Sequence, residues 1–205
     1  MSGVALFART RRWRAVCVSV LVAAALAIAC GPLAVSLSPT GDAQVRVALL
    51  VPLLPALAIA ASLVTPLGGQ ERVGSRSLRR PELTHLLAFT ALTIALVGGA
   101  SLLFPSRMGS DVSMDQGAIA VVRNILALTG IATVSYRILG TQLGWVLPIV
   151  WTILPPLLIP RANQDRSEIF TLLTQPDSAF TAFVVASVVW LAGAFLITRW
   201  SPDRR

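Results

Sequence analysis

Six apolar blocks, each near twenty residues and separated by short polar connections, constrain this chain more than any other feature of its sequence. A block of that length matches a hydrocarbon layer about 30 Å thick at about 1.5 Å per helical residue. Such a layer admits only segments that satisfy their own backbone hydrogen bonds. The blocks run over about 15–37, 47–67, 86–104, 118–136, 143–160 and 179–198, and together they use most of the 205 residues. The expected fold class is all-α: a polytopic membrane protein with six transmembrane helices in a single domain, 1–205. Only 13% of the residues are charged, against roughly 25% in ordinary soluble domains, so a soluble core is not the natural reading.

Arginine sets the orientation. All 17 basic residues are Arg. With the N-terminus inside, Arg9, Arg11, Arg12, Arg14, Arg72, Arg76, Arg79, Arg80, Arg137, Arg199, Arg204 and Arg205 face the cytoplasm, while Arg46, Arg107, Arg161 and Arg166 face out. Arg123 is left undecided. Cytoplasmic loops hold the excess of cations, so both termini are expected in the cytoplasm and the protein in a cell membrane, of bacterial plasma or inner membrane type. The same layout removes nucleic acid as a partner, because the net charge of +8 sits at span ends and not along a basic stripe.

Several chemistries are excluded by residue type. Without Lys there is no Walker A loop, and one His with two Cys cannot build a tetrahedral metal site. No cofactor and no metal are expected. Cys17 and Cys30 are thirteen residues, or about 20 Å, apart on a helix, too far for a mutual disulfide. An intramembrane Ser and His protease is not supported either: His85 and Ser101 stand about 24 Å apart on one straight helix, and His85 reads as an interfacial residue. No catalytic residue is assigned and the chain is not expected to be an enzyme by itself.

The first block, behind four arginines, is similar to a signal peptide, with Ala27-Ile28-Ala29 before Cys30 and Gly31. Its apolar run continues to Leu37, longer than the 7 to 15 residues of an h-region, so it reads as an uncleaved span; cleavage after Ala29 would leave five spans and an external N-terminus. In the second block Pro52, Pro55 and Pro66 should kink the helix and free carbonyls that a neighbouring helix or water must satisfy. Small residues at Ala23, Ala27 and Gly31, and at Ala95 and Gly99, permit close helix contacts. Arg123 and Asn124 form a polar pair within the fourth block, and an ionisable residue at depth is a functional candidate. Snorkelling, or pairing with Asp115, Asp165 or Asp177, is the structural alternative to a substrate role. Beyond the fifth block, Asp165-Arg166-Ser167-Glu168 resembles a capping box ahead of Ile169, Phe170, Leu172 and Leu173; this amphipathic piece either lies at the outer interface, dips into the bundle or packs against it as a loop helix.

Six spans, a basic N-terminal segment with Phe7 and Trp13, a loop after span two reading GGQERVGSRSLRRPELT, and an amphipathic piece between spans five and six together resemble ABC exporter permeases. The run RNILALTGIATVSYRILGTQLGWVLPIVW from Arg123 to Trp151 is similar to small actinobacterial membrane proteins described as ABC transporter permeases. The resemblance implies a homodimer or heterodimer in membrane lipid, a separate ATPase subunit that hydrolyses ATP, and a translocation path for a hydrophobic or amphipathic compound. It implies that the loop with Glu71, Arg72, Arg76, Arg79 and Arg80 docks the ATPase, that Phe7 to Trp13 forms the connecting helix, and that Asp165 to Thr174 forms the short extracellular helices. This loop departs from the family pattern, since Glu71 stands among four arginines where an acidic stretch is common. The alternative is a non-transporting accessory, immunity or assembly membrane protein, whose basic loop only fixes topology.

Overall fold

A computed structural model describes residues 13–30, 33–36, 44–63, 79–103, 117–158, 172–173, 175 and 178–199. In chain order these form α1 (Trp13–Cys30), the strands β1 (Ala34–Ser36) and β2 (Gln44–Arg46), α2 (Val47–Leu50), α3 (Leu53–Leu63), α4 (Arg79–Thr93), a π-helical turn over Ile94–Gly98 that leads into α5 (Gly99–Ser101), α6 (Ala118–Leu143), α7 (Val146–Leu158) and α8 (Phe180–Arg199). Among the described residues four stretches, Trp13–Cys30, Pro81–Ser101, Ala118–Leu143 and Phe180–Arg199, are long and apolar enough to cross a membrane, whereas Val47–Leu63 and Val146–Pro155 are apolar but shorter. The chain is thus a helical membrane protein with at least these four span-length helices.

Element ends differ from the sequence expectation where local chemistry overrides apolar character. The first helix stops at Cys30, not near Leu37: Pro32 follows, and a residue without an N–H cannot extend the ladder. Leu33 N donates to the Cys30 carbonyl at 2.9 Å, and Ala34–Ser36 pairs with Gln44–Arg46 in an antiparallel ribbon, Val35 opposite Val45. The second apolar block is interrupted at Val51 and Pro52 between α2 and α3, as its prolines imply. Because Pro55 has no N–H, the Val51 carbonyl takes the tighter bond from Leu54 N at 3.2 Å.

The third helix opens at Arg79, seven residues ahead of the expected Leu86. Pro81 sits in its first turn, where the missing N–H costs no intrahelical bond, and Glu82 complements the N-terminal dipole. The fourth runs past Tyr136 to Leu143, and its one break falls at Gly140, with φ 77° and ψ −173°. That backbone region is open essentially to Gly alone.

Three buried clusters stack along the bundle and fix the direction of its helices. Val16 and Val20 from the start of α1 meet Ile59 and Leu63 from the end of α3, Leu86 from the start of α4, and Ala194 and Ile197 from the end of α8. At the opposite end Ala23 and Ala27 meet Leu49, Val97, Ala100, Val121 and Ile125. Along the chain α1, α3, α4 and α6 therefore alternate in direction, and α8 runs parallel to α6.

The tightest crossing joins α6 and α8. A Cβ on Gly130 would stand 2.7 Å from both Trp190 N and Val189 O, and one on Gly193 would stand 3.2 Å from Gly130 O. Backbone meets backbone here, the contact that glycine permits between membrane helices. Of the small residues expected to make such contacts, Ala23 and Ala27 are buried, but Ala95 is exposed and Gly99 faces open space; Gly31 lies outside the described residues. Which face of a helix its small residues occupy depends on the neighbours, and spacing alone does not reveal that.

Candidate functional site

Two groups of buried polar side chains link elements of the bundle, one at each end. Near the start of α6, Arg123 and Asn124 lie within the helix at 1% and 0% exposure. Arg123 Nη2 donates to the Gln175 carbonyl at 2.8 Å and Arg123 Nε to Asn124 Oδ1 at 3.4 Å. Asn124 Nδ2 donates to the Leu173 carbonyl at 3.0 Å and reaches the Leu49 carbonyl at 3.4 Å, beside the break between α2 and α3. Both side chains thus bind main chain, and what they hold is the connection between α7 and α8 together with the end of α2.

That connection enters the bundle. Leu172 and Leu173 are buried in one cluster with Ala56 and Ala60 of α3, Ala127, Leu128 and Ala132 of α6, and Ala182 and Ala186 of α8. The helices offer mostly alanine at this level, and two leucines supply bulk between them. Of the three placements open for the amphipathic piece, the structure puts its last residues inside the bundle; 165–171 lie outside the described residues. The alternatives weighed for Arg123 are narrowed in the same way: it neither snorkels nor stands open to the surface, and Asp115, Asp165 and Asp177 lie outside the described residues.

At the other end, Glu82 Oε2 and Arg137 Nη2 meet at 2.6 Å, with side chains 12% and 10% exposed. The pair ties the start of α4 to the end of α6. One turn further along α4, His85 is buried between helices and its Nε2 lies 2.8 Å from Ser62 Oγ on α3. His85, which the sequence reads as interfacial, thus packs between helices near the start of α4. Ser62 Oγ also lies 2.6 Å from the Ile59 carbonyl, so its one proton serves either that carbonyl or His85 Nε2, according to the ring's tautomer. The Ser62 and His85 pair links α3 to α4. Ser101, the serine weighed against His85 in the sequence, donates to the Val97 carbonyl at 2.9 Å within its own helix.

The Ser62 contact was missed although a signal existed. Ser62 is the one polar side chain in 47–63, and alternating helices bring the end of that block beside the start of the next, where the single His stands. Of the loop residues named for docking, Arg79 and Arg80 open α4, while Glu71, Arg72 and Arg76 lie outside the described residues. No group of three or more His, Cys, Asp or Glu that could hold a metal occurs among the described residues. Compared with known proteins, the chain matches no family model, no curated protein and no solved structure.

Proposed function

We propose that the chain is the transmembrane subunit of an ABC-type exporter, with all six apolar blocks crossing a bacterial cell membrane and both termini in the cytoplasm. The observation that carries this reading is the connection between α7 and α8, which turns into the bundle at Leu172 and Leu173 and is held there by Arg123 and Asn124. An amphipathic outer segment between the fifth and sixth spans, forming short extracellular helices, is what the resemblance to ABC exporter permeases implies. The helix directions support the topology, since α8 running parallel to α6 leaves one crossing for α7 between them, and the pairing of Glu82 with Arg137 brings together two residues that the arginine distribution assigns to the same, cytoplasmic side. The two shorter apolar helices complete the six crossings; Val47–Leu63 is followed in the sequence by Val64, Thr65, Pro66 and Leu67, which extend its apolar length. The substrate is hydrophobic or amphipathic and ATP is hydrolysed by a separate subunit, docked through the loop ahead of α4 with Glu71, Arg72, Arg76, Arg79 and Arg80.

A second reading, a non-transporting accessory membrane protein, is favoured by a different observation: Arg123 and Asn124 are engaged with main-chain carbonyls and so serve the bundle itself. Co-purification separates the two. Where a Walker A ATPase is encoded beside it, the tagged chain coexpressed with that ATPase should retain it, and reversing the charge of Arg76, Arg79 and Arg80 to Glu should release it. Retention undiminished by the reversal would refute docking through this loop, and an absent neighbouring ATPase would favour the accessory reading.

A further inference from the structure

We propose that Thr129 and Thr90 hold one internal water molecule that ties α6 to α4 in the middle of the bundle, with Trp190 positioning Thr90. The proposal goes beyond the permease reading and does not require it. A hydroxyl inside an apolar helix commonly donates to a carbonyl of the preceding turn. Four buried ones here do so, Thr93 to Phe89, Ser101 to Val97, Thr133 to Thr129 and Thr152 to Pro148, at 2.7–2.9 Å. Thr129 departs from that habit: it is 1% exposed, and its Oγ1 has no hydrogen-bond partner among the described residues. Buried polar atoms are seldom left so, and an ordered water is the common remedy.

A second hydroxyl stands opposite. The backbone N of Trp190 on α8 lies 2.7 Å from where a Cβ on Gly130, the residue after Thr129, would stand, and its Nε1 donates to Thr90 Oγ1 on α4 at 3.4 Å. One indole thus reaches from beside Thr129 to Thr90. Helix register agrees. A Cβ on Gly98 of α4 would stand 3.2 Å from Val122 Cγ2 of α6. Thr129 comes seven residues after Val122, two turns along the same face and about 10 Å away; Thr90 comes eight residues before Gly98, about 12 Å along a helix of opposite direction. The two threonines are therefore level to within about one residue's rise. Thr90 is 3% exposed; the bond from Trp190 uses a lone pair of its hydroxyl, whose proton has no acceptor among the described residues. No ionisable residue stands within a turn of Thr90, Thr129 or Trp190 on its own helix, and both threonines are shut off from the surface, so the ligand is small and uncharged. Water fits, since its two lone pairs accept both hydroxyl protons and an internal water needs at least two polar partners.

The test uses the full chain, carrying isotope-labelled threonine, in phosphatidylcholine bilayers. Solid-state NMR reads how fast polarisation passes from water to each threonine. Thr133 is the control: it is equally buried, at 1%, one turn further along α6, and its hydroxyl is spent on the Thr129 carbonyl. Transfer to Thr129 and Thr90 should be several times faster than to Thr133, and Thr90→Val should slow transfer to Thr129 to the Thr133 rate. Stability in mild detergent supplies an independent sign. Val keeps the shape of Thr without the hydroxyl, so with water bound Thr129→Val should raise the unfolding equilibrium constant about fivefold, the worth of one hydrogen bond; a hydroxyl without a partner predicts no change or a fall. Transfer to Thr129 no faster than to Thr133, the result if its hydroxyl turns back to the Ile125 carbonyl, would overturn the proposal, and so would a Thr129→Val protein as stable as the parent. The comparison of Thr129 with Thr133 is made in the parent protein and decides the matter even where a variant does not fold.

Discussion

Asn124 uses every part of its amide. Its two N–H groups face the carbonyls of Leu173 and Leu49, and its Oδ1 accepts from Arg123, so the side chain joins α2, α6 and the segment that returns before α8. Leaving such buried carbonyls without donors costs about 1–3 kcal/mol. Asn124→Ala should destabilise the purified protein in mild detergent by about that amount, and Asn124→Asp by at least as much, since a carboxylate has no proton to offer. Chemical unfolding followed by tryptophan fluorescence measures it; a loss under about 0.5 kcal/mol, the ordinary effect of a surface change, would mean the clasp is dispensable. Arg123 and Asn124 could be singled out in the sequence because polar atoms at depth stand out against apolar blocks. Their partners could not, because a backbone carbonyl leaves no trace in residue type.

Among the elements, α6 holds the centre, and its crossing with α8 is set by Gly130 and Gly193. Adding one methyl at Gly130 must push backbone away from backbone, so Gly130→Ala should cost about 1–3 kcal/mol, the range for overpacking. Gly99→Ala meets nothing within 4 Å and should be neutral or stabilise by about 0.5–1 kcal/mol, the helix-interior difference between the two residues. The same unfolding measurement decides both, and equal effects at the two sites would refute the crossing. The sequence pointed to Gly99 and passed over Gly130 because a four-residue spacing says that small residues share a face without saying what lies opposite. Element existence was more legible than element ends: Phe180–Arg199 nearly coincides with the last apolar block, whereas Pro32 and Gly140 set limits that hydropathy ignores.

For the whole molecule, the buried clusters give α1, α3, α4 and α6 alternating directions with α8 parallel to α6, and arginine placement adds the sidedness. Among the described residues four helices have full span length and two are shorter, so the number of crossings decides the topology. With six crossings, Leu33 and Leu102 stand outside and Arg14 and Leu143 inside; with only the four long helices crossing, Leu102 would move inside and Leu143 outside. Single cysteines at these positions, in a chain whose Cys17 and Cys30 are replaced, can be probed in intact cells with a membrane-impermeant maleimide. Leu33→Cys and Leu102→Cys should react, while Arg14→Cys and Leu143→Cys should react only after permeabilisation. Reaction of Leu143→Cys with protection of Leu102→Cys in intact cells would contradict the six-span account.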